Sequence, residues 1–326
     1  MSRVQNWILV TGTPRSGTTF VGKVLSLPLE VDYIHEPFSP RCGIPDVDVR
    51  YVYTRAGLPN EPRVREWVRL IKTYQLELRT VIRPTETLVR RLGKRVLGGR
   101  GENYLRLARL NPFHRAAVVK DPIGCLLTGY LMREHGFRAV VLIRHPAAFV
   151  ASVLRLGWDP KFDLAGMGQQ QALIEDHFAN EPDVFARAPT SRLEAAAAVW
   201  RLLNKALLAQ AEESGAVVVR HEDLSRAPVA TFRALYNQLG LIWTDRLERR
   251  TLALTRPGNR IEPRKGHVQD FERDSARLLE HRLGQLSADD RVRIWEITRD
   301  VAERFYTEAG KDNTVARDGL AVERSV

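Results

Sequence analysis

Cysteine is almost absent from this 326-residue chain, which holds only Cys42 and Cys125. Two scattered thiols exclude a disulfide framework and a thiolate metal cluster, and they fit a reducing cytosol. Long apolar runs are lacking as well. No stretch approaches the roughly 18 unbroken apolar residues that a membrane span needs, and "MSRVQNWILVTG" has too short an apolar run for a secretory leader. Internal repeats and sustained heptads are also missing, which excludes solenoid and coiled-coil architectures.

What is left is the composition of a soluble globular protein, 44% hydrophobic and 27% charged, long enough to bury one large core or two small ones. The formal charge of +11 is concentrated: residues 44–115 hold 16 Lys and Arg against 7 Asp and Glu, a local excess of +9. Such an excess points to an anionic partner near that region, or to no more than a solvated basic face.

Short β-rich runs recur at "NWILVTG" (6–12), "VDYI" (31–34), "AAVVK" (116–120), "RAVVLI" (138–143) and "AVVVR" (216–220). Helical patterns separate most of them, among them "PIGCLLTGYLMREHG" and "SRLEAAAAVWRLLNKALLAQAEESG". The alternation predicts an α/β fold, a P-loop-like parallel sheet of about five strands with helices on both faces. Residues 1–310 read as one domain, with 41–113 as an Arg-rich helical insertion or cap broken by Pro59, Pro62, Pro84 and the turn "LGGRGEN". Residues 157–190 are expected to form loops near the site, and 311–326 a disordered tail.

The first strand runs into "GTPRSGTT" and then into a helix-like pattern. Gly12-x4-Gly17 followed by Thr18 and Thr19 is nearly the phosphate loop of a nucleotide triphosphatase, but threonine stands at position 18 where that loop keeps its lysine. Backbone N–H groups from Arg15 through Ser16 and Gly17 to Thr18 and Thr19 can still converge on one anion, helped by the helix N-terminus. A second candidate cradle lies in "VVLIRHPAAFVASVLRLGW". There Arg144 leaves a strand end as a fork for phosphate oxygens, and Ser152 presents a hydroxyl from the next helix. We expect two separate cradles in one cleft.

"PRSGTTF" resembles the 5′-phosphosulfate loop of sulfotransferases that use 3′-phosphoadenosine 5′-phosphosulfate (PAPS). "RSGTTFVG" followed by "YIHEPF" is closer to the carbohydrate branch of that family than to the cytosolic branch, which carries Pro-Lys-Ser-Gly-Thr. The spacing of Arg144, Pro146 and Ser152 is similar to the family's 3′-phosphate element. "PRKGHVQDF" resembles the segment that closes over the 3′-phosphate: Arg264, Lys265 and Gly266 match, whereas Gln269 and Phe271 depart. "RHEDL" resembles Arg-Tyr-Glu-Asp-Leu, with His221 in place of the tyrosine.

The resemblance implies metal-independent transfer of a sulfuryl group from PAPS, with 3′,5′-adenosine bisphosphate (PAP) as product. The expected acceptor is a hydroxyl of a carbohydrate, glycolipid or glycosylated metabolite. Arg15 is the first candidate to meet charge developing on the leaving phosphate. Lys120 is the second, since the family places a lysine at the matching strand end. Glu36, matching the Glu-Pro glutamate of the carbohydrate branch, is the expected base, followed by His35 and then Asp121. A small-molecule kinase would need a lysine at Thr18, although Asp121 could serve it as a metal ligand. A non-catalytic basic protein would bind nucleic acid or anionic membrane through "VRRLGKRVLGGRG". We expect no nucleic-acid partner, and a cytoplasmic, membrane-peripheral enzyme whose residues 44–115 can meet an anionic membrane surface.

Overall fold

Five strands pair in parallel in the order β2-β3-β1-β4-β5. They are β1 (Asn6–Gly12), β2 (Val31–His35), β3 (Ala116–Lys120), β4 (Arg138–Ile143) and β5 (Val217–Arg220), so each β-rich run forms its strand to within one residue. The computed structural model describes residues 4–82, 86–186, 189–255 and 284–307. The candidate ligands Arg264, Lys265 and Gly266, the neighbouring Gln269 and Phe271, and the tail 311–326 lie outside the described residues.

The inner strands are apolar along their length because both faces of the sheet are covered. Ile8 and Val10 point into a cluster with α1 (Thr18–Leu25), α11 (Pro228–Gln238) and α12 (Asp245–Thr255). Leu9 and Val119 point the opposite way, towards Trp67 and Ile71 of α2 (Glu61–Lys72) and Tyr130 of α5 (Thr128–His135). On that same face α6 (Pro146–Arg155), α9 (Arg192–Ser214) and the helix Ala288–Ala302 build a third cluster around Trp200. Ser191 caps α9 by accepting the Glu194 N–H, and Gly215 closes it in the left-handed region.

The insertion packs on the sheet instead of standing apart. Pro62 opens α2 at its first turn, where the missing N–H costs nothing. After α3 (Leu88–Leu97), α4 (Arg100–Leu110) lies along β2, with Tyr104 edge-on to Tyr33 at 5.0 Å between ring centroids.

Two local expectations are corrected. Residues 157–190 are not simply loops: α7 (Lys161–Gly168), α8 (Gln171–His177) and a short 3-10 turn (Pro182–Val184) form there. Met167, Leu173 and Phe178 are buried against α9, and Gln170 ties the segment to the N–H of Tyr53 and the carbonyl of Tyr51. The helix read over 122–136 also starts late. Asp121 engages the amides of Ile123 and Gly124, so a 3-10 turn (Cys125–Leu127) precedes α5; α10 (His221–Arg226) follows β5 directly.

Register positions the site. Lys120 sits opposite Val10 on one side and His35 on the other; Gly12 is opposite Leu142, and Ile143 opposite Arg220. All the singled-out strand-end residues therefore emerge at the carboxyl edge, where parallel α/β sheets bind ligands. The core carries the sheet: Leu9→Ala should lower the unfolding free energy by about 3 kcal/mol, read as a lower urea midpoint at unchanged slope.

Candidate active site

The loop after β1 is held by close approach. Gly12 has φ 140°, and a Cβ there would lie 2.2 Å from the carbonyl oxygen of Leu142. Arg15 (φ 73°) and Gly17 (φ 98°) also adopt the left-handed region, and the Ser16 amide between them donates to the Thr13 carbonyl at 3.1 Å. His221 packs against Gly17, where a Cβ would come 2.8 Å from its Nδ1. Gly17 caps α1 with no side-chain hydrogen bond, and no acidic residue occupies the first turn. The Oγ of Ser16 and Oγ1 of Thr13 are buried with no hydrogen-bond partner among the described residues. Buried hydroxyls ordinarily find partners, and an anion at the N-terminus of α1 would supply them. Thr18 and Thr19 are buried at the same turn.

The two cradles, expected to be separate, touch. Nη1 of Arg144 donates to the carbonyl of Arg15 at 2.9 Å, and Nε of Arg15 donates to Oγ of Ser152 at 3.2 Å. Arg144 and Ser152 are themselves buried. The Arg144 carbonyl accepts from the indole of Trp200 at 2.9 Å. The next residue, His145, donates its backbone N–H to Oε1 of Glu222, whose Oε2 accepts from Tyr306. "RHEDL" is thus a brace: Glu222 holds the β4–α6 turn, while Arg220 grips Asp223 through two bonds of 2.8 and 2.6 Å.

At the ends of β2 and β3 the structure brings His35, Glu36, Lys120 and Asp121 together. Lys120 is 1% exposed and forms a hydrogen-bonded ion pair with Oε1 of Glu36. Burial alone would raise the Glu36 carboxyl, but Lys120, then His35, and hydrogen bonds from Lys120 and Cys42 bring it down to about 2. The pair's stabilisation is therefore complete above the ordinary value of 4.5 and disappears only as pH falls through about 2. Burial, with Lys120 nearby, lowers His35 to about 3, so its imidazole is neutral at pH 7; Nδ1 lies 3.0 Å from the Tyr33 hydroxyl. Asp121 is pushed up to about 7 by burial and then by Glu36. Its oxygens accept from the amides of Phe38, Ile123 and Gly124, which pins the turns that follow β2 and β3. Gly22 on α1 makes room for Lys120, whose Cγ would be 3.0 Å from an added Cβ.

Several residues here carry no sequence signal. Nζ of Lys23 sits over the rings of Tyr33 and Tyr104, at 3.6 and 3.2 Å from their centroids. Beside it lies a cavity of about 460 Å³ lined by Phe20, Lys23, Arg100, Tyr104 and Arg250. Burial, then Arg100 and Lys120, lower Lys23 to about 7 from an ordinary 10.5. Competitive amine labelling read by mass spectrometry should find Lys23 half-reactive near pH 7, far below an ordinary surface lysine. Half-reaction near the ordinary value would refute that environment.

Together these groups can hold a polyanion at the N-terminus of α1 and manage a proton at the buried lysine–carboxylate pair. A sulfotransferase family model matches residues 8–245. Among curated proteins no relative matches the chain. The sulfotransferase domain from the curacin biosynthetic pathway is 15% identical, with a TM-score of 0.44 over 92% of this chain and 99% of that one. Sulfotransferase STF9 from Mycobacterium avium is 14% identical, with a TM-score of 0.44 over 94% and 78% of the two chains. A sulfotransferase from Alicyclobacillus acidocaldarius is 16% identical, with a TM-score of 0.37 over 92% and 97%.

Proposed function

Because the chain belongs to the sulfotransferase family, enzymes that transfer a sulfuryl group from PAPS, we propose that it delivers that group to a hydroxyl of a carbohydrate-bearing acceptor. The observation that supports the donor side of this reading is the linked cradle, in which Arg15 reaches from the phosphate loop to Ser152 while Arg144 holds the Arg15 carbonyl.

PAPS, when bound, supplies the sulfuryl group on its 5′-phosphate and a second anchor in its 3′-phosphate. The hydroxyls of Ser16 and Thr13, with the first amides of α1 and the Thr18 and Thr19 side chains, receive the phosphosulfate oxygens. Arg144 and Ser152 receive the 3′-phosphate. Transfer breaks the bond from sulfur to the 5′-phosphate oxygen and makes one to the acceptor oxygen, in line, as in phosphoryl transfer. Negative charge develops on the departing oxygen, and Arg15 and Lys120 neutralise it. The acceptor proton goes to Glu36. While Lys120 pairs with it, Glu36 at about 2 is a feeble base. As Lys120 turns to the departing oxygen, Glu36 loses its cation inside a buried site and gains basicity. His35, held neutral beside Glu36, is the second candidate base. Asp121, committed to three amides, positions both turns. The preference for a sugar hydroxyl rests on "RSGTTFVG" and "HEPF".

Calorimetry with PAP against ATP tests the donor: PAP should bind and ATP should not. Arg15→Ala or Arg144→Ala should weaken PAP by about tenfold or more, the loss of a charge-assisted hydrogen bond. Glu36→Gln should leave PAP affinity nearly intact and lower kcat by about 100-fold. Sulfate transfer unchanged in all three variants would refute the assignment.

A further inference from the structure

Helix α3, "LVRRLGKRVL", carries four basic residues and no acidic one. Its Leu88, Val89, Leu92 and Val96 are 71%, 82%, 57% and 79% exposed, and none belongs to the buried core. At about 100° per residue these four share an arc of about 100°; Arg95 and Arg91 flank it on the Leu88 side, and Lys94 lies opposite. The helix is two-faced, yet its apolar face is turned to water. Its polar side moors it: Nζ of Lys94 bonds Oε1 of Glu86 at 2.6 Å and the Val81 carbonyl at 2.8 Å, and Arg106 bonds the Leu97 carbonyl at 3.1 Å.

A contiguous exposed aliphatic face marks an interaction surface. We propose that α3 docks on an anionic lipid surface, its apolar face entering the boundary between headgroups and acyl chains while its arginines meet acidic headgroups. A short, strongly basic helix with an exposed aliphatic face has the form of an interfacial helix. Charge argues against a second copy of the chain as the cover, because the +9 segment would then face itself.

The docking also bears on the acceptor. α3 passes through Gly98 and Gly99 straight into α4, whose Arg100 and Tyr104 line the cavity beside Lys23. A docked α3 holds that cavity next to the lipid surface, so the acceptor is a hydroxyl carried on a lipid headgroup or on a membrane-bound metabolite. This step rests on the sulfuryl-transfer reading; the docking itself does not.

The test is co-sedimentation of the full chain with vesicles of equal phosphatidylcholine and phosphatidylserine, compared with phosphatidylcholine alone. The chain should bind the mixed vesicles and bind the neutral ones at least about tenfold more weakly, in a salt-dependent way. Leu92→Ser combined with Val96→Ser should lose about tenfold or more of that binding. Its melting temperature and PAP calorimetry should be unchanged. Arg91→Glu combined with Arg95→Glu should weaken binding and flatten the salt dependence. The proposal is overturned if the unaltered chain ignores mixed vesicles, or if the double serine variant binds them as well. A dimer in sedimentation velocity that the serine variant dissolves would assign the face to a second copy, and would overturn it too. Vesicle binding without PAP binding would sink the functional reading alone, and PAP binding without vesicle binding the docking alone.

Discussion

At Gly12 the backbone of β1 lies so near β4 that one added carbon would collide with the Leu142 carbonyl. This closeness lets the chain leave β1 beside the turn that leads from β4 into α6. Three residues later, the Arg15 carbonyl meets the Arg144 guanidinium and the Arg15 side chain meets Ser152. The contacts reinforce one another. Arg144 is set by Trp200 through its carbonyl, and its neighbour His145 by Glu222. Polar links in so buried a place strengthen each other, and leaving any one unmade is costly. The phosphate loop is therefore a property of two strands and a helix, not of the "PRSGTT" stretch alone.

Beside it, one lysine sorts two carboxyls. Asp121 is buried and Glu36 half-buried, and desolvation pushes both upward. Glu36 has Lys120 directly on its oxygen and falls to about 2, whereas Asp121, left with backbone amides, rises to about 7. Neighbouring carboxyls driven apart by their surroundings commonly take different duties. Here one is a carboxylate paired to the lysine, and the other is a staple for two turns.

The sheet was legible because each strand is a short apolar run closed by a helix signal, and parallel pairing buries both of its faces. The ends of those strands were legible for the same reason, and the motifs beside them, with the family resemblance, are why Arg15, Glu36, Lys120 and Arg144 could be named. Contacts between distant segments were not. Nothing local in "RHEDL" shows that Glu222 braces His145 and Tyr306, and nothing in α1 shows that Lys23 sits over a tyrosine from the insertion. Prolines and glycines in 157–190 suggested loops. Burial of Met167, Leu173 and Phe178 against α9 overrode that punctuation.

Trp200 gives the protein a colour signal of its own. Its indole is fully buried and its N–H is committed to the carbonyl of the arginine assigned to a phosphate. An excited indole shifts electron density across its rings, so its emission follows the local electric field. Among six tryptophans, this one is bonded to the backbone of Arg144, so its share of the emission follows any change of charge at that turn.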